Sequence, residues 1–451
     1  MDELLRLIRY NTGTDKKAFV EFKDKFDAVV FNASIVAYNG AAISDIISIH
    51  MNHYIIDPQT YILQHGKEAF LSSKGTEIKA SVKKYLDELP SDILEIIDVK
   101  QRSLEIQDII KILGDFCKKV YDFQTTFINR FLQEKEYNKY LDFALEEEGK
   151  EAHPLLPKVL IAPYFRLKKT YDENEISDWL NLNGECLQSF IDINQTQLPV
   201  AAELLIDKEL LPMLNYEDIR KTYSNLKCEY VFVWIDEFIP SQAKIKEQEG
   251  FKKLIDIFNE IGIKPIMAYG GYDSILLCHR ESKTRLYGVA QSVGYGESRP
   301  ITPVGGGLPI NKYYFNPLHK RLSFGDVTTL LNKAGFFHGD KNAKKDSAER
   351  FYLEVCDCLQ CKEIINSNID NFNVYNTSVP YTWKGDIKRN RPTAEASFFA
   401  ARHFMYCKIK EWESLGSSLN ELCDKLLDGY IEYGERAEIA LIRRYISFYV
   451  K

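Results

Sequence analysis

Glu229-Tyr230-Val231-Phe232-Val233-Trp234-Ile235-Asp236-Glu237 decides the fold of this chain. Six consecutive apolar residues leave no polar face, as a strand buried on both sides requires, and the run closes on two carboxylates where such a strand opens into a loop. Comparable runs stand at Phe26–Ala33, His53–Thr60, Lys158–Phe165, Leu198–Leu205, Lys264–Gly271 and Leu286–Val293. Helical patterns separate them. The clearest places Phe251, Leu254, Ile255, Phe258 and Ile261 on one helix face, with Gly262 as its C-cap. Strands alternating with helices predict βα units and a parallel sheet. With an eighth strand expected at Lys312–Phe315, the pattern predicts a (β/α)8 TIM-type barrel in preference to a doubly wound sheet. No Gly-x-Gly-x-x-Gly follows the first strand to indicate a dinucleotide. Leu4, Leu5, Leu7 and Ile8 predict a short amphipathic helix before the barrel.

Within the barrel pattern lies a helical insertion, marked by Leu86, Leu89, Ile93, Ile106, Ile109, Phe123, Phe127 and Phe131 and ending in the charged run Glu146–Glu151. The predicted organisation is residues 1–71 for the start of the barrel, 72–150 for the insertion, 151–345 for the remainder of the barrel with its active-site face, and 346–451 for a zinc-binding, helical C-terminal subdomain.

The chain has 451 residues, 45% hydrophobic and 27% charged, enough for a large core, and its net charge of −7 provides no global footprint for nucleic acid. The opening Met1-Asp2-Glu3 does not resemble a signal peptide, and no apolar run approaches the roughly 20 residues of a membrane span, so a cytoplasmic protein with reduced cysteines is expected.

Chemistry in such barrels gathers at the strand C-terminal ends. That rule singles out Asp57, Tyr164, Glu203, Asp236 with Glu237, Gly270-Gly271, and Glu297 with Arg299. Around the last pair, Gly288–Arg321 crowds glycines, including Gly305-Gly306-Gly307, against a carboxylate, a guanidinium and aromatic residues. Such a stretch lets backbone approach a ligand closely.

Downstream stands Cys356-Asp357-Cys358-Leu359-Gln360-Cys361, three of nine cysteines as C-x-C-x-x-C. Thiolates so spaced can wrap one tetrahedral zinc, leaving a fourth position for His403, with Cys407 one helical turn on as the reserve ligand. A closed Cys3His set would be structural and not catalytic.

A barrel followed by C-x-C-x-x-C and a downstream helical histidine resembles the tRNA-guanine transglycosylase family, the landmarks running in order over roughly residues 25–415. Ile56-Asp57-Pro58-Gln59-Thr60-Tyr61 resembles the family's strand-end Asp-Ser-Gly-Gly-Phe-Gln, and Trp234-Ile235-Asp236-Glu237 stands where the family has a Gly-rich stretch ending in glutamate. Tyr269-Gly270-Gly271-Tyr272 is similar to its Gly-Val-Gly turn, and Gly288–Pro303 stands in place of its Phe-Asp-Cys and Pro-Thr-Arg. The family's Phe-Asp is replaced by Tyr295-Gly296, with Glu297 one residue later; the insertion and the long gap before His403 are further departures.

The resemblance implies replacement of guanine in nucleic acid by a 7-deazaguanine base such as preQ0, through carboxylate-dependent cleavage of the N-glycosidic bond. The departures favour the divergent branch that modifies DNA over the enzymes acting on tRNA. It implies Asp57 as the catalytic carboxylate that handles the base and its proton, and Glu297, from a shifted register, as the carboxylate that traps the sugar. Substrate contacts would come from Gln59, Asp236, Glu237, Gly270, Gly271, Tyr295, Arg299, Lys312 and Arg321, with further cations at Lys320, Lys384, Lys388, Arg389 and Arg391. A partner ATPase or a homodimer is a further expectation. The competing expectations are an N-glycosidase that inserts no base and a degenerate barrel that only binds nucleic acid or a partner.

Overall fold

The computed structural model describes residues 4–10, 21–50, 53–72, 75, 77–133, 155–294, 296–301, 312–383 and 386–450. Its centre is a nearly closed parallel barrel. The strands are β1 (Leu5–Tyr10), β2 (Ala28–Asn32), β3 (Tyr54–Asp57), β4 (Leu160–Ile161), β6 (Val200–Ile206), β7 (Tyr230–Ile235), β8 (Lys264–Met267) and β9 (Gly288–Ser292), while β5 (Arg166–Leu167) pairs with the end of β6. The order β3-β2-β1-β9-β8-β7-β6-β4 runs once around in chain sequence. The strands are buried, with Val30, Phe31, Ile55, Ile56, Val231, Phe232, Val233 and Ile266 fully enclosed, which is why they read as continuous apolar runs.

Two expectations are corrected. Leu5–Tyr10 is not a helix but the strand that closes the barrel, paired with both β2 and β9. Apolar residues at positions 4, 5, 7 and 8 suit both periods. The difference is made by Arg6, which turns outward to Asp27, and Arg9, which is buried inside and ion-paired. Conversely, Tyr313–Phe315 (β10) lies outside the barrel and pairs antiparallel with Lys320–Leu322 (β11), because β1 already fills the eighth position.

Between β3 and β4 the ladder is thin, and side chains do its work. Lys158 N–H donates to the Tyr54 carbonyl (2.7 Å). The Thr60 hydroxyl donates to the Tyr164 carbonyl and accepts from its N–H (2.7 and 2.8 Å). The Gln64 amide does the same for Arg166, Gln124 for Ile161 and Asn183 for Phe165. Buried backbone groups that β4 is too short to pair are thereby satisfied. Gln124 lies on the helix Leu113–Gln133, which packs between the helices Gly40–His50 and Glu173–Ile193 as part of the outer ring; the charged run 146–151 lies outside the described residues.

C-terminal to the barrel, the β10–β11 hairpin sits against the long helix Ala394–Ser414. The helices Leu419–Tyr433 and Arg436–Tyr445 follow, and a second hairpin pairs Ser378–Trp383 with Asp386–Pro392. No helix among the described residues is long and apolar enough to cross a membrane.

Candidate functional site

The strand-end turn Asp57-Pro58-Gln59 builds the centre of the site. Pro58 fixes its own φ, and Gln59 adopts the left-handed conformation (φ 49°), which folds its N–H back onto Asp57 Oδ1 at 3.1 Å. A non-glycine residue in that region stores strain of order 1–3 kcal/mol, which buried surroundings must hold in place. Asp57 Oδ1 also accepts from the Tyr164 hydroxyl (2.8 Å), and Oδ2 accepts from Arg9 Nη1 (2.8 Å). All three partners donate, so Asp57 is presented as a carboxylate. Arg9 spans the barrel, its Nε donating to the Ala268 carbonyl at 2.8 Å and its guanidinium lying 4.2 Å from the Tyr269 ring centre. Burial works against the charge on Arg9 but is outweighed by Tyr269, Asp57 and Glu203, so its proton is held more tightly than usual. Burial, reinforced by Asp57 and Glu203, raises Tyr164 well above the ordinary phenol range and keeps it a donor.

Glu203, on β6, shares this interior. It is 1% exposed, and neither of its carboxyl oxygens makes a hydrogen bond. Burial and the neighbouring Asp57 charge push its proton affinity well above the carboxylate range, against the weaker pulls of Arg9 and the Tyr164 hydroxyl, whose hydrogen bond is directed to Asp57. A carboxyl group met by three donors and a buried one that favours its proton therefore share one barrel end.

Aromatic rings wall the cluster. Tyr61 stacks on Tyr164 (5.9 Å) and meets Trp234 edge-on (5.4 Å), and Trp234 lies 4.7 Å from Tyr269. Across them runs the segment Gly296–Ile301. Trp234 Nε1 donates to the Arg299 carbonyl (3.2 Å), Arg299 Nη1 to the Tyr269 hydroxyl (2.9 Å), and Ile301 N–H to Asp236 Oδ1 (2.8 Å). Asp236 also pairs with Arg166 (3.3 Å), which is held more closely by Asp207.

The expected residues thus fall into two groups. Asp57, Gln59, Asp236 and Arg299 belong to the barrel end, and Gly270 beside them has no room for a Cβ, which would lie 2.8 Å from Val289 Cγ1. Glu297 lines a neighbouring pocket with Gly271, Asp273 and His319, and Arg321 pairs with it. Arg321 donates to Glu297 Oε1 (3.1 Å) and to the carbonyls of Ser292 and Val293. No hydrogen bond or ion pair among the described residues joins Glu297 to Asp57. Glu237 is exposed, 4.0 Å from Lys208, and Lys312 is exposed. Tyr295, the triple glycine and Lys384 lie outside the described residues. Arg9 carries no site signal in sequence, because the apolar spacing around it suits a helix as well as a strand. Tyr164 and Glu203 carried the strand-end signal alone, with no motif around them.

A second centre lies under the β10–β11 hairpin. Cys356, Cys358, Cys361 and His403 are buried, their donor atoms all within 4.8 Å of one another, and can hold a metal ion. His403 Nε2 contacts the Tyr314 carbonyl at 2.7 Å, which places the proton there and leaves the Nδ1 lone pair facing the sulfurs of Cys358, Cys361 and Cys356 at 3.3, 3.5 and 3.6 Å. The Tyr313 ring stacks on His403 (4.2 Å), and its hydroxyl lies 3.1 Å from Cys361 Sγ. Cys407 Sγ borders the group, 4.0 Å from Cys356. The hairpin thereby connects this centre to the barrel: Tyr314 orients His403, and Arg321 grips the end of β9.

No family model and no curated protein matches this chain. Among solved structures, an HpcH/Hpal aldolase/citrate lyase family protein from Burkholderia cenocepacia shares 7% identity at a TM-score of 0.31, over 64% of this chain and 88% of that one. A Saccharomyces cerevisiae Gas2p variant in complex with laminaritetraose and laminaripentaose shares 9% identity at a TM-score of 0.31, over 94% of each chain.

Proposed function

We propose that the chain is a base-exchange transglycosylase that replaces guanine in nucleic acid, DNA in preference to tRNA, with a 7-deazaguanine. The observation that carries this reading is Asp57, a buried carboxylate fixed by Arg9 and Tyr164 inside an aromatic-walled barrel end. Breaking an N-glycosidic bond develops positive charge on the sugar, and a carboxylate fixed beforehand can trap that charge as a covalent ester without reorganising. With Glu297 paired to Arg321 outside the barrel end, we assign this role to Asp57 and not, as the resemblance implied, to Glu297. Flat rings of Tyr61, Trp234 and Tyr269 supply faces for a flipped base. Since Asp57 and its neighbours are enclosed, substrate binding requires the Gly296–Ile301 segment to lift, which would turn the Arg299 guanidinium toward a phosphate.

The soft, anionic donor set of Cys356, Cys358, Cys361 and His403 fits zinc, and its closed, buried arrangement fits a structural role. Zinc there would tie the hairpin to the C-terminal helices and would take no part at the barrel end.

Nucleoside mass spectrometry, after incubation of the protein with plasmid DNA or tRNA and a 7-deazaguanine base, tests the reading. Incorporation into DNA that falls at least about 100-fold in Asp57→Asn is expected. Abasic sites without incorporation would replace exchange by hydrolysis, and an unchanged Asp57→Asn variant would remove Asp57 from the chemistry.

A further inference from the structure

We propose that Glu203 is the proton donor of the barrel-end site, delivering its proton to the departing base while Asp57 takes the sugar. The inference rests on the base-exchange reading and adds a residue with a role to it.

The argument begins with hydrogen-bond accounting. A carboxylate buried without partners costs far more than a buried neutral acid, so it takes up a proton unless a cation or donors offset its charge. Glu203 is 1% exposed and both its oxygens lack a hydrogen bond. The nearby cation turns two of its nitrogens elsewhere, Nη1 of Arg9 to Asp57 at 2.8 Å and Nε to the Ala268 carbonyl at 2.8 Å, and makes no hydrogen bond to Glu203. Tyr164, the other nearby donor, gives its hydroxyl to Asp57 at 2.8 Å and pulls on Glu203 more weakly than burial and Asp57 push it. The same donors that hold one carboxyl group charged are therefore withheld from the other. The strong upward shift of Glu203, caused by burial and then by Asp57, agrees with that arrangement. A protonated carboxyl has an O–H donor beside a carbonyl acceptor, and with no protein group satisfying either, both are available to a ligand.

The chemistry balances. As an Asp57 oxygen bonds to C1′, the C1′–N9 bond breaks and its electron pair passes to guanine, while the Glu203 O–H proton moves to guanine N7. Neutral guanine leaves, with a glycosyl ester on Asp57 and a carboxylate at Glu203. In the return step the incoming base bonds to C1′ through its ring nitrogen, the ester C–O bond breaks to regenerate the Asp57 carboxylate, and the N–H proton of that base passes to Glu203. No oxidant, reductant or further reactant is needed.

Two measurements on the full chain test this. In infrared spectra at neutral pH, a D2O-sensitive protonated-carboxyl band is expected in wild type and is expected to vanish in Glu203→Gln. Its absence from wild type would overturn the proposal. The second measurement uses oligonucleotides carrying guanine or 7-methylguanine, the latter already positively charged and able to depart without a proton. Glu203→Gln is expected to lose release of guanine by about 100-fold or more while keeping release of 7-methylguanine within a few fold, whereas Asp57→Asn loses both. Equal loss of both bases in Glu203→Gln, with thermal unfolding unchanged, sinks the donor role and leaves base exchange standing. A wild type that releases neither base sinks base exchange and the donor role together, even if the infrared band is present.

Discussion

Three side chains, Arg9, Asp57 and Glu203, set the properties of the barrel end, and two of them are worth perturbing for stability alone. Asp57→Asn keeps a polar group for Tyr164 but removes the counter-charge of a guanidinium that is 1% exposed. Breaking one side of a buried ion pair costs about 3–5 kcal/mol, and a loss of that size is expected in denaturant unfolding at neutral pH. Glu203 gives the opposite outcome. Its proton is held in the folded chain above the ordinary carboxylate value of 4.5, to which it returns on unfolding. The stability it contributes is therefore complete below that value and declines as pH rises toward the folded-state value, by at most about 1.4 kcal/mol per pH unit. Glu203→Gln should flatten this decline, and be at least as stable as wild type in unfolding curves at pH 8. A steeper decline in the variant would contradict a neutral Glu203.

Among the elements, the β10–β11 hairpin and the helix Leu419–Tyr433 are joined by a contact that only glycine permits. A Cβ on Gly429 would lie 2.0 Å from the Pro317 carbonyl oxygen and 2.9 Å from its carbon. Backbone cannot yield as a side-chain tip can, so Gly429→Ala must push the helix off the hairpin. A gain of up to about 1 kcal/mol in helix propensity is expected to be outweighed, lowering the melting temperature. Gly114, on the helix Leu113–Gln133, has nothing within 4 Å of its Cβ position, and Gly114→Ala should instead be neutral or stabilising by up to about 1 kcal/mol. Equal effects of the two substitutions would mean that the Pro317 contact is unimportant. Most strands of the barrel were legible, because a strand enclosed on both sides must be apolar throughout. The β3–β4 seam was not. Its hydrogen bonds come from Thr60, Gln64, Gln124 and Asn183, polar residues that carry no pattern in sequence.

Across the whole molecule, one hairpin joins the cysteine–histidine centre to the end of β9 and the Glu297 pocket. Tyr314 meets His403 through its carbonyl and Glu411 through its hydroxyl, Glu411 binds Lys408 (2.9 Å) and His319 (2.6 Å), and Arg321 reaches Glu297. If a metal holds the four donors together, chelation should loosen the hairpin and the end of β9 before the barrel core melts. Hydrogen exchange after chelator treatment is expected to rise first at residues 313–322 and 288–293. Protection unchanged there, with the metal demonstrably removed, would mean that packing alone holds the hairpin.

By itself the sequence determined the parallel barrel and the cysteine–histidine centre, since both rest on local rules: continuous burial along a strand, and donor types at ligand spacing. It also marked Asp57 as a strand-end carboxyl group, whereas Glu203, expected at a strand end, lies in the middle of β6 with its side chain buried. Only the tertiary structure decided that Leu5–Tyr10 closes the barrel, that Lys312–Phe315 does not, and that Glu297 keeps company with Arg321 instead of Asp57. The reason is that a spacing of apolar residues satisfies a helix or a strand equally until a partner is present. The charge state of a carboxyl group likewise depends on donors brought from distant parts of the chain, here Arg9 and Tyr164, which no local pattern reveals.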